Sequence, residues 1–271
     1  MSALDPAAVD QWRNYAGRTE ERRQTLELES LRRFALAVDS DRDVERHMPP
    51  LGHWAFFLPE PEDRDLAPDG HPKKGGFLPP VTLPRRMFAG ASIRFHRSLV
   101  LGKEAVMTSM IKSVEHKNGR SGELVFVTVE RIIAQDDINA IAETQNYVFR
   151  GEGPPALLPE PSAHPIDGEL WQPNEANLFR FSAATFNSHR IHYDLPYAQQ
   201  EEGYPALIVH GPYIAARLAE LAQREAPLTS FSFRAQAPIF LGQSIRLRRD
   251  GAAGEAIRCD GAVAMSSTAT Y

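Results

Sequence analysis

Two stretches of the chain that lie 140 positions apart resemble each other and decide the predicted fold: residues 92–102 are SIRFHRSLVLG, and residues 232–242 are SFRAQAPIFLG. The shift superimposes identical residues, among them Arg94 and Arg234, Leu101 and Leu241, and Gly102 and Gly242. Both stretches are followed by strand-like segments with β-branched and alternating apolar residues, joined by a turn that contains glycine. This repeated order predicts an internal duplication of a strand-rich unit.

Clusters of proline mark the limits of the two units. Nine of the 21 prolines lie between residues 49 and 84, and six lie between residues 154 and 173. Proline fixes φ and has no N–H donor, so neither stretch can form a continuous helix or a central strand. We therefore predict an N-terminal half at 1–153, a linker at 154–173 and a C-terminal half at 174–271. The first cluster is predicted to be a long irregular excursion within the N-terminal half.

Each half contains one segment with strong helical periodicity. Residues 30–38 begin with Ser30, a good N-cap residue, and carry apolar residues at helical spacing. Residues 211–224 are rich in alanine and leucine, and Pro212 suits the first turn of a helix. The second segment is apolar enough to be buried under antiparallel strands, and the first half has no equivalent at the matching place. We therefore expect only the second half to carry a complete site.

Composition excludes several classes of protein. The chain has 271 residues and a formal net charge of -5, so it lacks the basic patch of a nucleic-acid-binding protein. No apolar run approaches the ~20 residues of a membrane span. The first residues lack the basic start and apolar stretch of a signal peptide, and the lone cysteine, Cys259, cannot form an internal disulfide. We therefore expect a cytoplasmic enzyme or small-molecule binder that contacts neither membrane nor nucleic acid.

Three of the nine histidines lie within 22 residues of the second half, and they are the candidate chemical groups. His189 and His192 belong to FSAATFNSHRIHYD at 181–194, and His210 belongs to GYPALIVHGP at 203–212. The second segment places Gly211 at the start of the predicted buried helix, where free backbone N–H groups can hold a developing negative charge. A carbonyl oxygen bound there, with an imidazole beside it, is typical of an acid–base site.

Other interpretations of these residues are simpler. His189 and His192 have a spacing that suits metal ligands, but no third ligand accompanies them, so we expect neither a metal nor a cofactor. The histidines could instead be structural, and for His210 a packing role and a catalytic role both remain open. We expect Cys259 to lie in a core strand. The basic pairs are expected to be solvated surface charge rather than phosphate-binding groups: Lys73 with Lys74, and Arg85 with Arg86.

The order F-x-x-x-x-x-N-x-H-R-I-H-Y-D followed by G-Y-P-x-L-I-V-H-G-P resembles the MaoC-like hydratases and dehydratases, whose common pattern is S-G-D-x-N-P-x-H-x-D. His192 matches the histidine of that pattern and Asp194 the second aspartate. Asn187 stands where the catalytic aspartate is usual, His189 where asparagine is usual, and Arg190 where proline is usual. These departures, with the stretches at 52–57 and 119–128, are similar to the subfamily of mitochondrial 3-hydroxyacyl-thioester dehydratases and bacterial mesaconyl-C4-CoA and itaconyl-CoA hydratases.

The resemblance implies an α+β double hot-dog fold with two antiparallel sheets and a buried central helix kept mainly in the C-terminal half. It implies an acyl-CoA thioester substrate and a site between the halves. Four residues are expected to be catalytic: His192 as general acid and base, Asn187 and His189 as its helpers, and the Gly211 N–H as an oxyanion donor. Four are expected to bind substrate: Arg190, Tyr193, Asp194 and His210. Arg190 is the candidate cation for a free carboxylate.

The substrate and the assembly state are further expectations. We expect hydration of a short dicarboxylic ester, itaconyl-CoA or mesaconyl-C4-CoA, to citramalyl-CoA, as in itaconate degradation. One alternative is a (3R)-hydroxyacyl-thioester dehydratase of longer acyl chains, and another is a non-catalytic thioester-binding module. A hot-dog thioesterase usually needs an acidic base or nucleophile on the central helix. The predicted helix at 211–224 offers only Glu220, which lies well beyond its first turn, so we rank this activity low. We expect a homodimer or a higher homo-oligomer.

Overall fold

The computed structural model describes residues 4–119 and 122–271, so part of the stretch 119–128 lies outside the described residues. Within them the chain forms ten strands and five α-helices. The elements of the first half are α1 (Pro6–Arg13), β1 (Thr19–Thr25), α2 (Leu28–Ala37), β2 (Arg85–Phe95), β3 (Glu104–Gly119), β4 (Gly122–Gln135) and β5 (Ile138–Arg150). Those of the second half are β6 (Glu169–Trp171), α3 (Glu175–Ala184), α4 (Leu195–Gln200), α5 (Gly211–Gln223), β7 (Ser230–Ala235), β8 (Ile245–Asp250), β9 (Ala253–Ile257) and β10 (Val263–Thr270).

The ten strands form one continuous antiparallel sheet in which the two halves repeat each other. The strand order is β1-β3-β4-β5-β2 in the first half and, outward from the centre, β7-β10-β9-β8-β6 in the second. Each strand of one half therefore has a counterpart at the mirrored place of the other, which confirms the predicted duplication. The two antiparallel sheets of the expected double hot dog are joined edge to edge, because β2 pairs with β7.

The register at this junction identifies the axis of the duplication. Ser92 of β2 lies directly opposite Ser232 of β7. These two residues are also separated by the 140 positions of the sequence repeat, so each is paired with its own counterpart. A local twofold axis therefore passes between them.

The buried central helix is α5, which begins at the predicted residue Gly211 with Pro212 in its first turn. Nine of its 13 residues are buried, including the polar Arg217 and Glu220. Arg217 Nη1 donates to the main-chain carbonyl of Val38, at 2.7 Å, and Arg42 of the first half pairs with Glu220. The first half thus supplies the partners that allow a polar end of α5 to be buried.

In the first half, a 3₁₀ helix at Gly52–Ala55 lies between α2 and β2. The longer helix α2 follows β1 as α3 follows β6, and the two pack together through Phe34 and Phe181, whose ring centroids are 6.2 Å apart. This arrangement confirms that the central helix is kept mainly in the C-terminal half. The predicted start of α2 at Ser30 was wrong: the helix begins at Leu28, and its N-cap residue Glu27 makes no side-chain cap.

The proline-rich segment 154–173 runs along the second half and is anchored to it. Ala156 N–H donates to the carbonyl of Gly203, and Ser162 N–H donates to that of Cys259. The short strand β6 lies within this segment and pairs with β8. Cys259 is buried as expected, but it lies in the turn between β9 and β10 rather than in a strand. None of the helices in the described part of the chain is long and apolar enough to cross a membrane.

Candidate active site

His192 lies at the centre of a group of buried imidazoles. Its Nδ1 lies 2.8 Å from the carbonyl oxygen of Ile208, which can only accept a hydrogen bond, so Nδ1 carries the proton and Nε2 keeps its lone pair. Ile208 N–H in turn donates to Ile191, so the two motif segments hold each other in place. Burial lowers the pKa of His192 to about 4, against a smaller opposing effect of the Ile208 bond. The side chain is therefore a neutral acceptor at pH 7.

His210 stacks on His192 and is completely buried. The ring centroids are 3.6 Å apart with an interplanar angle of 20°. His210 Nε2 lies 2.8 Å from Ser182 Oγ of α3, and its Nδ1 has no hydrogen-bond partner among the described residues. Burial, followed by the neighbouring His192, holds the pKa of His210 well below its ordinary value. The structure therefore places His210 behind His192.

Asn187 and His189 form the turn that follows α3. Asn187 Oδ1 accepts a hydrogen bond from the His189 N–H at 3.0 Å, and Phe186, just before it, has a φ of 48°. The buried ring of His189 lies edge-on to that of His192, with centroids 5.4 Å apart. Burial and then the neighbouring imidazole of His71 lower the pKa of His189. The predicted catalytic residues His192 and His189 are thus adjacent, and Asn187 shapes the turn beside them.

Three of the predicted substrate-binding residues have local partners. Arg190 Nε and Nη2 donate to the Asp194 carboxylate at 3.0 and 2.8 Å, and Nη1 donates to the carbonyl of Pro68. The other oxygen of Asp194 accepts from the Tyr197 N–H and caps α4. Tyr193 is exposed, and its hydroxyl donates to the Ser188 carbonyl. These side chains brace the histidine motif.

The first half contributes an aspartate and a histidine to the same cluster, which the sequence analysis missed. His71 Nδ1 lies 3.0 Å from Asp69 Oδ2, and the centroid of the His71 ring lies 4.0 Å from that of His189. Burial and then Arg86 lower the pKa of His71 to about 4. Burial alone raises the pKa of Asp69, but the side-chain and main-chain hydrogen bonds from His71, together with the neighbouring imidazoles, lower it by more, so the carboxylate stays ionised. The first half therefore contributes two side chains to the group of residues around His189.

Gly70 explains how this loop reaches the motif. Its φ is +86°, and a Cβ built on it would lie 1.9 Å from the main-chain oxygen of Ser188. The Arg190 N–H also donates to the Asp69 carbonyl at 2.9 Å. The available signal in the sequence was the Asp-Gly-His triplet at 69–71, between Pro68 and Pro72. Glycine is required here because the two backbones touch.

Three of the four basic residues expected at the surface are buried or half-buried in this region. Arg85 is buried and pairs with Glu202, at 3.4 Å. Lys74 is half-buried and donates to the carbonyls of Val81 and Leu83. Arg86 is half-buried, and its positive charge lowers the pKa of Lys74 and of His71. Only Lys73 is exposed as predicted.

The start of α5 lies beside the stacked histidines. A Cβ built on Gly211 would meet nothing closer than the main-chain oxygen of Phe88, at 3.9 Å. His210 is the N-cap residue, so the first N–H groups of α5 have no partner within the helix. The position predicted for an oxyanion donor is therefore adjacent to the neutral imidazole of His192.

One group of side chains has the geometry of a metal site. Ligand atoms of Asp69, His71 and His189 lie within 4.8 Å of one another. The charges of Arg86 and Lys74 act on the same His71, and they oppose the binding of a divalent cation there. Neutral imidazoles with an ionised carboxylate suit both metal binding and proton transfer, and the two neighbouring cations favour proton transfer.

The comparisons with known proteins agree with this geometry. The family model for hydroxyacyl-thioester dehydratase type 2 matches residues 51–241. The chain belongs to this family. The matched range contains both the Asp69–His71 loop and the histidine motif, so the two parts of the cluster are included.

Individual relatives support the same assignment. The chain is 44% identical over 270 residues to the mesaconyl-C4-CoA hydratase of Chloroflexus aurantiacus, covering 95% of this chain and 96% of that protein. It is 26% identical over 225 residues to the mitochondrial hydroxyacyl-thioester dehydratase type 2 of Schizosaccharomyces pombe, covering 72% and 75%. A solved MaoC-like dehydratase from Phytophthora capsici has the same fold, with a TM-score of 0.67, 16% identity and 97% of each chain covered. The chain is thus a member of the hydroxyacyl-thioester dehydratase type 2 family and has a double hot-dog fold.

Proposed function

We propose that the protein adds water to the double bond of mesaconyl-C4-CoA and forms citramalyl-CoA. The observation that carries the proposal is the neutral Nε2 of His192 beside the open N-terminus of α5. The 44% identity to a mesaconyl-C4-CoA hydratase over nearly the whole chain supports the choice of substrate.

In the proposed reaction, the thioester oxygen lies at the Gly211 N–H and the double bond lies beside His192. His192 Nε2 takes one proton from a water molecule, and the water oxygen bonds to the β-carbon. The electron pair of the double bond moves toward the thioester oxygen, where the helix N-terminus stabilises the enolate. His192 then delivers the proton to the α-carbon on the same face, so that one water molecule has been added.

The other polar residues position these groups. Asn187 uses its Oδ1 within the turn and keeps its amide N–H groups for the water or the thioester region. Asp69 accepts a hydrogen bond from His71 Nδ1 and so fixes the orientation of the His71 ring beside that of His189. His71 Nε2 is then available to exchange a proton within the cluster. In this scheme the Asp69–His71 pair supplies the carboxylate that Asn187 does not provide.

Two observations favour this substrate over the alternatives. The enolate mechanism needs a double bond conjugated with the thioester, as in mesaconyl-C4-CoA, whereas in itaconyl-CoA the double bond is not conjugated with it. The region where the first half lacks a central helix contains a packed group of aromatic rings, Trp54, Phe88 and Phe233, with centroids 5.7 to 6.2 Å apart. This packing favours a short acyl group over the long chain of a (3R)-hydroxyacyl dehydratase.

The test is a panel of mesaconyl-C4-CoA, itaconyl-CoA and crotonyl-CoA with purified protein and its His192→Ala variant. We expect hydration of mesaconyl-C4-CoA, and a loss of about 10²–10⁴-fold in kcat for the variant, which is the usual contribution of general acid–base catalysis. His96→Ala, at an exposed histidine outside the cluster, is the control. Turnover of crotonyl-CoA alone would exclude the dicarboxylic substrate, and no turnover of any ester would indicate a binding module.

Location and assembly complete the proposal. We propose a cytoplasmic homodimer or higher homo-oligomer, and a role in the degradation of itaconate would require that the same panel also shows hydration of itaconyl-CoA. Light scattering coupled to size-exclusion chromatography tests the assembly state, since a monomer would elute with the mass of one chain.

A further inference from the structure

Arg86 is a half-buried cation for which the described residues provide no hydrogen-bond acceptor. It lies on β2, and burial lowers the pKa of its guanidinium, while Tyr147 and Asp69 act on it only through their charge. The other two cations of this region have hydrogen-bond acceptors. Arg85 donates to the Glu202 carbonyl and pairs with its carboxylate, and Lys74 donates to the carbonyls of Val81 and Leu83. A guanidinium has five N–H donors and stays charged, so a partly buried one is expected to have an anionic partner.

The position of Arg86 relates it to the reacting atoms. Its charge acts on both His71 and His189, so it lies within electrostatic range of the imidazole cluster. Phe88 follows two positions later on β2 and therefore points to the same face of the sheet. The main-chain oxygen of Phe88 lies next to Gly211 at the start of α5. Arg86 is thus placed beside the space between the histidines and the helix N-terminus.

The chemistry of the proposed substrate supplies an anion at this place. In mesaconyl-C4-CoA the free carboxylate is bonded to the β-carbon, the same carbon that receives the hydroxyl group. A cation for this carboxylate must therefore lie beside the acid–base groups, and not at the far end of an acyl channel. The phosphates of CoA are a pantetheine arm away from the thioester and cannot reach the same point.

We propose that Arg86 binds the free carboxylate of a dicarboxylic acyl-CoA ester and thereby selects such esters over uncharged acyl groups. This inference rests on the proposed function and names the residue that determines its substrate class. Arg190 was the cation expected from the sequence, but its Nε, Nη1 and Nη2 already donate to Asp194 and Pro68. Both oxygens of Asp69 accept from His71, which leaves Arg86 free for an incoming carboxylate.

The experiment compares two unreactive esters that differ in one group. In 2-methylsuccinyl-C4-CoA a carboxylate occupies the place of one methyl group of isovaleryl-CoA, and neither ester has a double bond to hydrate. Calorimetry measures the Kd of each ester for the wild type, for Arg86→Gln and Arg86→Lys, and for Arg94→Gln. Arg94 is the matched control, since it is an exposed arginine on the same strand.

We expect the wild type and Arg94→Gln to bind the carboxylated ester at least about 30-fold more tightly, the usual lower limit for a buried charge pair. Arg86→Gln should lose this preference and keep its Kd for isovaleryl-CoA, which also shows that it is folded. Arg86→Lys should keep part of the preference, because it retains the charge without the planar fork. A wild type without preference, or a preference that survives in Arg86→Gln, overturns the proposal.

Turnover separates this proposal from the proposed function. An Arg86-dependent preference without hydration of mesaconyl-C4-CoA supports the carboxylate site and rejects the proposed reaction. Hydration without a binding preference supports the reaction and rejects the role of Arg86. If Arg86→Gln does not fold, the wild-type preference and the partial loss in Arg86→Lys still decide the outcome.

Discussion

Replacing Gly70 by alanine tests whether the loop from the first half belongs to the active site. The φ of Gly70 is +86°, which costs an L-residue about 1 kcal/mol. The new Cβ would also lie 1.9 Å from the Ser188 oxygen, whereas real Cβ contacts are essentially never below 3.0 Å. The loop must therefore move by at least about 1 Å relative to the motif, and such a displacement can reduce catalysis by about 10²-fold.

The matched control is Gly242→Ala, because Gly242 has the same φ of +86° and nothing within 4 Å of the new Cβ. We expect this control to lose about 1 kcal/mol of unfolding free energy with kcat/KM for mesaconyl-C4-CoA unchanged. Gly70→Ala should lose about 10²-fold in kcat/KM while remaining folded by circular dichroism. Wild-type kcat/KM in folded Gly70→Ala would refute the assignment of Asp69 and His71 to the site.

Two further predictions concern the buried histidines. His192 must be neutral to accept a proton, so kcat/KM should stay level from pH 8 to about 5 and fall as the pH passes through about 4. A midpoint near pH 6.5 would contradict the conclusion that burial lowers the pKa of His192. The unfolded chain binds this proton at about pH 6.5, so His192 alone should lower the free energy of unfolding by about 3 kcal/mol between pH 6.5 and 4. Urea denaturation should therefore show a smaller decrease over this range for His192→Gln than for the wild type. Ser182→Ala removes the hydrogen-bond partner of the fully buried His210 and should cost about 1–3 kcal/mol of unfolding free energy, whereas the exposed Ser98→Ala should cost little; equal stabilities would contradict the bond.

The parts of the fold that were predicted correctly depend on local patterns. The start of α5 at Gly211 follows from a proline in its first turn and an apolar run behind it. The duplication is visible because β2 and β7 keep similar residues around Ser92 and Ser232. Strand β5 escaped prediction, because its inward-facing Glu143 and Gln145 interrupt the apolar alternation. Glu143 is accommodated by hydrogen bonds with His53 and Trp54, which lie about 90 positions earlier.

The residues of the candidate site also divide into those that a local sequence pattern reveals and those that reach the site through long-range contacts. His189 and His192 could be found together because three positions separate them, and His210 because it precedes a recognisable helix start. Asp69 and His71 reach the cluster through the contact of Gly70 with Ser188, which joins residues 118 positions apart. No local period encodes such a contact. Arg86 was wrongly expected to be a solvated surface charge, because a basic pair on a strand does not indicate which face of the sheet other elements will cover.

The pairing of Ser92 with Ser232 also has a consequence for how the site could arise. In a symmetric pair of separate chains, every substitution appears on both sides of the axis, so a residue that helps one site changes its mirror image as well. Covalent joining of the halves removes this constraint. One side is then free to keep the helix whose N-terminus is proposed to hold the thioester, while the other replaces its helix by the segment that carries Asp69 and His71. Asymmetry, rather than a doubled number of sites, is what the fusion makes available.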